Sequence, residues 1–331
     1  MALPQFIEQH GDPQIPPPYS FPKVQVFSFT LRADPFSLLE LCNTHLNFGM
    51  SLNGAIDQNG FGYTPLAPMV DLEVLTYPNM FSEYDFGSPP FKGRGYIWQN
   101  ELYFRVWVVK WIKTFGIPHT TGEIEMFIPY IFVNNAWSVI TGREVIGYPK
   151  VLASFDGITK DSTSNRITMS THVYDVYDRD TELTERPVVE IVLPADPIDP
   201  NLPTDIPELA WPWGRVADVF NLDQLDDLVF TGLLDILGGL NFRTIQCKQS
   251  RDAETPEMAC HQSLIQAELE VTRGDFNFLK PAKININSYA SLRIADELGL
   301  GHGELTSVNQ YRQLCELLKL GSFRSFPMGS R

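Results

Sequence analysis

Residues 142–150, GREVIGYPK, run as a helix-like segment to a glycine, turn through Tyr148 and Pro149, and deliver one lysine, Lys150. Gly147 ends the helix, Pro149 forces a turned or extended exit, and Lys150 enters the next strand. Two regular elements therefore set its direction. Two readings of that side chain are open: a solvated surface charge, or a placed nucleophile. A lysine amine attacks a carbonyl carbon to give an imine, which accepts the electron pair released when a neighbouring carbon–carbon bond breaks. The amine must be neutral to attack. An ordinary lysine titrates near ~10.4, and lowering that by about three units corresponds to roughly 4 kcal/mol. An apolar wall does so by penalising the charged form.

Other chemistries have no comparable sign. The six histidines, His10, His45, His119, His172, His261 and His302, show no H-x-H, H-x-x-x-H or H-E-x-x-H spacing and so give no sign of a metal site, and the lysine-imine chemistry itself needs neither metal nor organic cofactor. There is no G-x-G-x-x-G, no phosphate-cradling G-x-x-x-x-G-K-[ST] and no G-x-S-x-G elbow. GLGHGEL (299–305) reads as a linker between helices. The four cysteines, Cys42, Cys247, Cys260 and Cys315, lack a C-x-x-C pair and read as reduced, buried thiols of a cytoplasmic protein. A net charge of -15 argues against nucleic acid or an anionic membrane as partner, since both need a field of Lys and Arg, and favours a small molecule or another protein. The N-terminus has neither the basic nor the apolar region of a signal peptide, and no apolar run approaches the roughly 20 residues that span a bilayer.

The elements that must position Lys150 read mainly as strands. A proline-rich arm is expected over 1–22, of the kind that often wraps a neighbouring subunit. VQVFSFTLR (24–32) alternates as a strand, and ADPFSLLELCNTHL starts a helix with Asp34 as N-cap, Pro35 at its first position, and Leu38, Leu41 and Cys42 inward. Strand-like runs follow over 69–77, 95–112 (long enough to bend at a bulge), 123–133, 151–159, 166–177, 187–195, 242–250, 260–276 and 282–288. Asn135 is placed to cap AWSVITGREVIG. The acidic, proline-rich stretch 194–214 reads as irregular, and leucine-type residues at 225, 228, 229, 233, 236 and 237 as one face of a helix packed on the sheet. Helices are expected behind Ser288 and behind Thr306, each ended by glycine. So many strands with so few helices imply an antiparallel sheet system closed into a barrel or folded into a sandwich.

The whole string VNNAWSVITGREVIGYPK (133–150) resembles the acetoacetate decarboxylase family, in which a strand, an Asn-containing turn, a helix with Gly-Arg-Glu and an aromatic-Pro-Lys occur in that order. In that family the lysine forms a Schiff base with substrate. DLEVLTY and NELYFRVWV resemble the strands carrying the family's two pocket glutamates and place Glu73 and Glu101 at the matching positions; EVTRGDF and KININSYASLRIAD are similar to its last strands and closing helix. The resemblance implies an α+β, mainly antiparallel β fold, a closed or partly closed β-barrel or double sheet with a few packed helices. It covers most of residues 20–300, giving a single domain over 23–331 with an insertion at about 194–250 and a helical C-terminal extension.

What the resemblance implies for function is a Schiff-base lyase, decarboxylating a β-keto acid through an imine on Lys150, with Glu101 and Glu73 handling protons or orienting substrate. Tyr148, Val151 and Arg143 would stand at the pocket, Tyr148 as a wall and Arg143 locking the helix–strand junction. An aldolase or dehydratase using the same imine on a pyruvate-type or larger keto substrate, and a non-catalytic small-ligand-binding protein, are the other readings. The family's habit of assembly implies a homo-oligomer. Two departures bear on substrate. Val151 stands where the family decarboxylases have a second lysine, and Val24, beside Lys23, stands where they have a pocket arginine for the substrate carboxylate, with Arg32 too far along to replace it. Without such a cation a larger or less charged keto compound is the better candidate.

Overall fold

A computed structural model describes residues 6–7, 11–47, 60–84, 95–114, 117–197, 241–307 and 309–327. Thirteen strands and three short helices account for its regular structure among these residues, together with one π-helical turn. The strands are β1 (Tyr19–Arg32), β2 (Phe61–Pro65), β3 (Met69–Ser82), β4 (Ile97–Thr114), β5 (Ile117–Val133), β6 (Lys150–Ile158), β7 (Thr163–Val173), β8 (Thr184–Val192), β9 (Asn241–Arg251), β10 (Ala259–Phe278), β11 (Lys283–Ile286), β12 (Glu304–Thr306) and β13 (Asn309–Pro327). The helices are α1 (Pro35–His45), α2 (Ala136–Thr141) and α3 (Ile294–Leu298).

The pairings close on themselves. β1 pairs with β3, β3 with β4, β4 with β5, β5 with β9, β9 with β10, β10 with β13, and β13 returns to β1. All but the short β5–β9 contact are antiparallel, so the molecule is mostly sheet with few helices, as expected. From β5 the sheet also continues through β6, β7, β8, β11 and β12. β4 shifts register between Phe104 and Val106 and again between Val109 and Trp111, the bulging that its length suggested.

Alternation along the ring strands sorts their side chains into two cores. Phe27, Phe29, Leu72, Val74, Phe104 and Val106 pack with α1 and with Ile167, Met169, Val189 and Ile191 of the sheet extension. Their neighbours of opposite parity, among them Val24, Val26, Leu75, Tyr77 and Tyr103, form a second cluster. α1 starts as its sequence dictates: the Asp34 carboxylate accepts from the Ser37 amide at 2.7 Å, Pro35 occupies the first turn, and Leu38, Leu41 and Cys42 are buried.

Several expectations are corrected. The run behind Thr306 is not a helical extension but β13, held between β10 and β1 with Cys315 opposite Val24. Its Leu, Gln, Glu and Lys residues favour helix by only tenths of a kcal/mol each, and two flanking ladders plus burial of Cys315, Leu318 and Leu320 outweigh that preference. The helix expected behind Ser288 shrinks to α3, since Tyr289 and Leu292 bridge first. Residues 241–250, counted with the insertion, belong to β9; the rest of that insertion from 198, with its leucine-spaced helix, lies outside the described residues. The arm ends at Pro18, and its described part lies on its own chain: Ile15 is buried, its amide donates to Thr141 Oγ1 at 3.0 Å, and Tyr19 donates to the Ile15 carbonyl at 2.7 Å. No helix among the described residues is long and apolar enough to cross a membrane.

One buried acid gives this fold a pH signature. Glu125 of β5 accepts from Gln266 Nε2 at 2.8 Å, and burial pushes its carboxyl up to about 7. Between the ordinary 4.5 and about 7 the folded chain holds a proton that the unfolded chain has released, so stability falls as pH rises through that window. The loss amounts to about 3 kcal/mol. Glu125→Gln is expected to flatten that part of the stability–pH curve and to stabilise the protein above it, measured by urea unfolding; an unchanged curve would contradict the assignment.

Candidate active site

Lys150 begins β6, and three features upstream place it there. Asn135 caps α2 through its side-chain oxygen, accepting from the amides of Trp137 and Ser138 at 3.0 and 3.3 Å. The expected single helix then widens into a π-helical turn over Gly142–Ile146, a distortion that often accompanies functional sites. The turn ends at Gly147, whose φ of 90° suits glycine, where a Cβ would come 2.8 Å from the Lys248 backbone. The amides of Gly147 and Tyr148 both donate to the Gly142 carbonyl at 2.9 Å, and the Lys150 amide donates to the Tyr148 carbonyl at 2.7 Å. The backbone around the lysine is thus fully tied.

Its side chain enters a cavity of about 70 Å³. Tyr19 and Phe21 of β1, Leu75 and Tyr77 of β3, Glu101 and Tyr103 of β4, Met126 and Ile128 of β5, Thr244 of β9, Leu269 of β10, and Leu318 and Leu320 of β13 line it. Side chains from all seven strands of a closed ring can converge only inside the ring. Thr141, Gly142, Ile146 and Tyr148 close one side around the lysine. Gly142 explains the glycine of GRE: a Cβ there would lie 2.5 Å from Lys150 Cδ and 2.8 Å from Cε, so its absence is the slot through which the lysine stem passes.

Within the cavity the lysine is 9% exposed and matched by charge. Nζ donates to Glu101 Oε2 at 2.8 Å and to Ser138 Oγ at 2.9 Å. Glu101, 5% exposed, also accepts from Tyr77 at 3.0 Å and from Gln99 Nε2 at 3.3 Å. Behind this pair lies a second polar layer. Tyr103 donates to Glu73, and Arg105 pairs with both Glu73 and Asp71 at 2.8 Å. Burial raises the Glu73 carboxyl above the usual range, against the lowering effects of Arg105 and Tyr103. Burial likewise raises the phenols of Tyr77, Tyr103 and Tyr148, with the nearby carboxylates adding to it, so all three are neutral hydroxyls.

The residues expected at the site divide into two groups. Lys150, Glu101 and Tyr148 meet at the cavity, Tyr148 donating to Thr244 at 3.0 Å, and Glu73 stands behind them through Tyr103. Arg143 and Val151 do not line it, which corrects that expectation. Successive strand residues face opposite ways, so Val151 packs into the outer core. Arg143, itself exposed, donates to the Lys150 carbonyl at 3.2 Å and turns to a separate polar cleft with Glu144, Lys248 and His261. Val24 is buried in the inner core without lining the cavity. Sequence reasoning missed Ser138, Tyr77, Gln99 and Arg105. Ser138 lies inside the recognised string, one helix turn ahead of Gly142; Gln99 is two residues before Glu101 on one strand face and so was within reach of the period-2 pattern. Tyr77 and Arg105 carried no signal without the β3–β4 register.

Residues 107–189 match the family model described as acetoacetate decarboxylase. Among the curated proteins none matches the chain significantly by sequence. Among solved structures, an acetoacetate decarboxylase from Legionella pneumophila is 14% identical with a TM-score of 0.54, the match covering 100% of this chain and 91% of that one. The enduracididine biosynthesis enzyme MppR, complexed with the condensation product of pyruvate and imidazole 4-carboxaldehyde, is 14% identical with a TM-score of 0.53, over 97% and 93% of the two chains. An acetoacetate decarboxylase-like enzyme from Sphingomonas wittichii RW1 is 12% identical with a TM-score of 0.52, over 93% and 92%. In the segment that carries Lys150 and in its fold, the chain is therefore similar to the acetoacetate decarboxylase-like proteins.

Proposed function

We propose that this protein is an imine-forming carbon–carbon lyase acting on a small keto compound, with Lys150 as nucleophile. The observation that carries the reading is the enclosed Lys150 ammonium, 2.8 Å from a buried carboxylate inside an otherwise largely apolar cavity. A buried lysine with no task would cost desolvation free energy for little return. Glu101 first takes a proton from the Lys150 ammonium, freeing the amine to attack; the carbonyl oxygen then receives one proton from the nitrogen and one from the Glu101 carboxyl and leaves as water, which restores the carboxylate. The resulting iminium accepts the electron pair of the breaking bond, and the enamine is protonated and hydrolysed.

Loss of carbon dioxide from a β-keto acid and release of an aldehyde by retro-aldol cleavage both run through this imine. One observation favours the second: Lys150 is the only cation among the described residues that line the cavity, and Glu101 already matches it. Incubation with acetoacetate, pyruvate and uncharged ketones, borohydride reduction and peptide mass analysis test the imine. An adduct on the Lys150 peptide is expected; none across the panel would sink the reading. Glu101→Gln is expected to slow turnover by roughly 10²- to 10⁴-fold, the usual range for a general acid–base group, with the adduct still trappable at long times.

A further inference from the structure

The cavity holds an unanswered acceptor. Gln99 is 1% exposed and lines the cavity beside Glu101, to which its amide Nε2 is directed, yet its Oε1 has no hydrogen-bond partner. A buried carbonyl oxygen without a donor costs free energy comparable to a lost hydrogen bond. The other polar groups nearby are spoken for: Tyr77 donates to Glu101, Tyr103 to Glu73, and Tyr148 to Thr244. What the site lacks is a donor on the substrate. It also lacks room for a second negative charge, because the one lining cation is matched by Glu101, and Arg105 behind it is shared between Glu73 and Asp71.

We infer that the substrate is a small, uncharged β-hydroxy ketone whose hydroxyl donates to Gln99 Oε1, and that the reaction is its retro-aldol cleavage; this rests on the imine reading of Lys150. At about 70 Å³, under half the roughly 150 Å³ that holds benzene, the cavity favours the smallest members of the class. The ketone carbon condenses with Nζ and its oxygen leaves as water. Gln99 Oε1 accepts from the hydroxyl in the bound ketone; once the iminium has formed, the O–H turns from Gln99 to the neighbouring Glu101, whose carboxylate takes the hydroxyl proton. The carbinol oxygen becomes the carbonyl of the released aldehyde, and the bond between the carbinol carbon and the ketone α-carbon breaks into the iminium. The enamine then takes a proton on carbon, and water hydrolyses the imine to ketone and free Lys150. No oxidant or reductant is needed. Gln99 is then a specificity-determining residue that discriminates a CH₂OH group from a carboxylate on one ketone frame.

Acetoacetate and 4-hydroxybutan-2-one differ only in that group, and butanone lacks both. The full-length protein is incubated with each, reduced with borohydride, and the Lys150 adduct is compared after normalisation to each compound's reaction with butylamine; formaldehyde, acetone and carbon dioxide are assayed without reductant. The expected result is at least tenfold more adduct from 4-hydroxybutan-2-one than from acetoacetate, with formaldehyde and acetone released in equal amounts. Gln99→Met is expected to erase the advantage over butanone while butanone itself still traps. Preferred trapping of acetoacetate with carbon dioxide release overturns this inference and leaves the imine reading standing. So does an adduct of 4-hydroxybutan-2-one that yields no formaldehyde. Absence of adduct from all three compounds overturns both. The ranking on the unaltered protein decides the matter even if Gln99→Met does not fold.

Discussion

Lys150→Met is expected to abolish borohydride-trappable adducts and to reduce carbon–carbon cleavage by on the order of 10⁵-fold or more, because a nucleophile that splits one barrier into two has no substitute among its neighbours. Ser138, 2.9 Å from Nζ, is a hydroxyl without an adjacent base of its own, and the buried phenols are held by carboxylates or Thr244. Methionine keeps the stem volume and removes the charge, so the cavity stays filled. A stability loss of up to roughly 3–5 kcal/mol is expected, because Glu101 is left buried without its cation, although it keeps Tyr77 and Gln99 as donors. Turnover assays and urea unfolding on one preparation separate the two effects. A Lys150→Met variant with more than a hundredth of the original turnover would rule out the imine.

Gly142→Ala is expected to have the second largest effect, although it adds a single methyl group to a residue with no chemical function. The new Cβ would stand 2.5 Å from Lys150 Cδ and 3.0 Å from Cγ, both in the middle of a buried stem whose backbone is fixed by β6. The stem must move, and Nζ leaves its place between Glu101 and Ser138. A displacement of about 1 Å at a reacting group costs roughly 10²-fold, so turnover is expected to fall by about that factor or more. Alanine is a better helix former than glycine by up to about 1 kcal/mol, which offsets part of the crowding and keeps the fold intact. The check is a low rate of imine trapping in a protein with an unchanged circular dichroism spectrum; trapping at the original rate would show that the slot is not needed.

These two positions also mark how far the sequence could be read. Lys150 was legible because its surroundings are local: a capping asparagine, a helix, a glycine stop and a proline exit follow one another within 16 residues, and each acts on the backbone next to it. Most strands were legible for the same reason, since alternation and β-branched or aromatic residues need no partner to be recognised. Glu101 was reachable through family resemblance and now stands against Nζ. Gly142 was visible as a letter of GRE, but its use as a slot depends on a lysine eight residues later folding back across the turn.

What the sequence determined by itself is the local framework: the strands, the cap of α1 and the exit of Lys150. What only tertiary structure decided is which side chains share one enclosed space. β13 is a strand because both its edges find ladders, an outcome that helix propensities of tenths of a kcal/mol cannot foretell. Gln99, Tyr77, Tyr103 and Arg105 became site residues because the register of β3 against β4 and closure of the ring set them together. Strand register and ring closure are contacts between residues distant in sequence, so their free energy lies in the pairings rather than in any one segment.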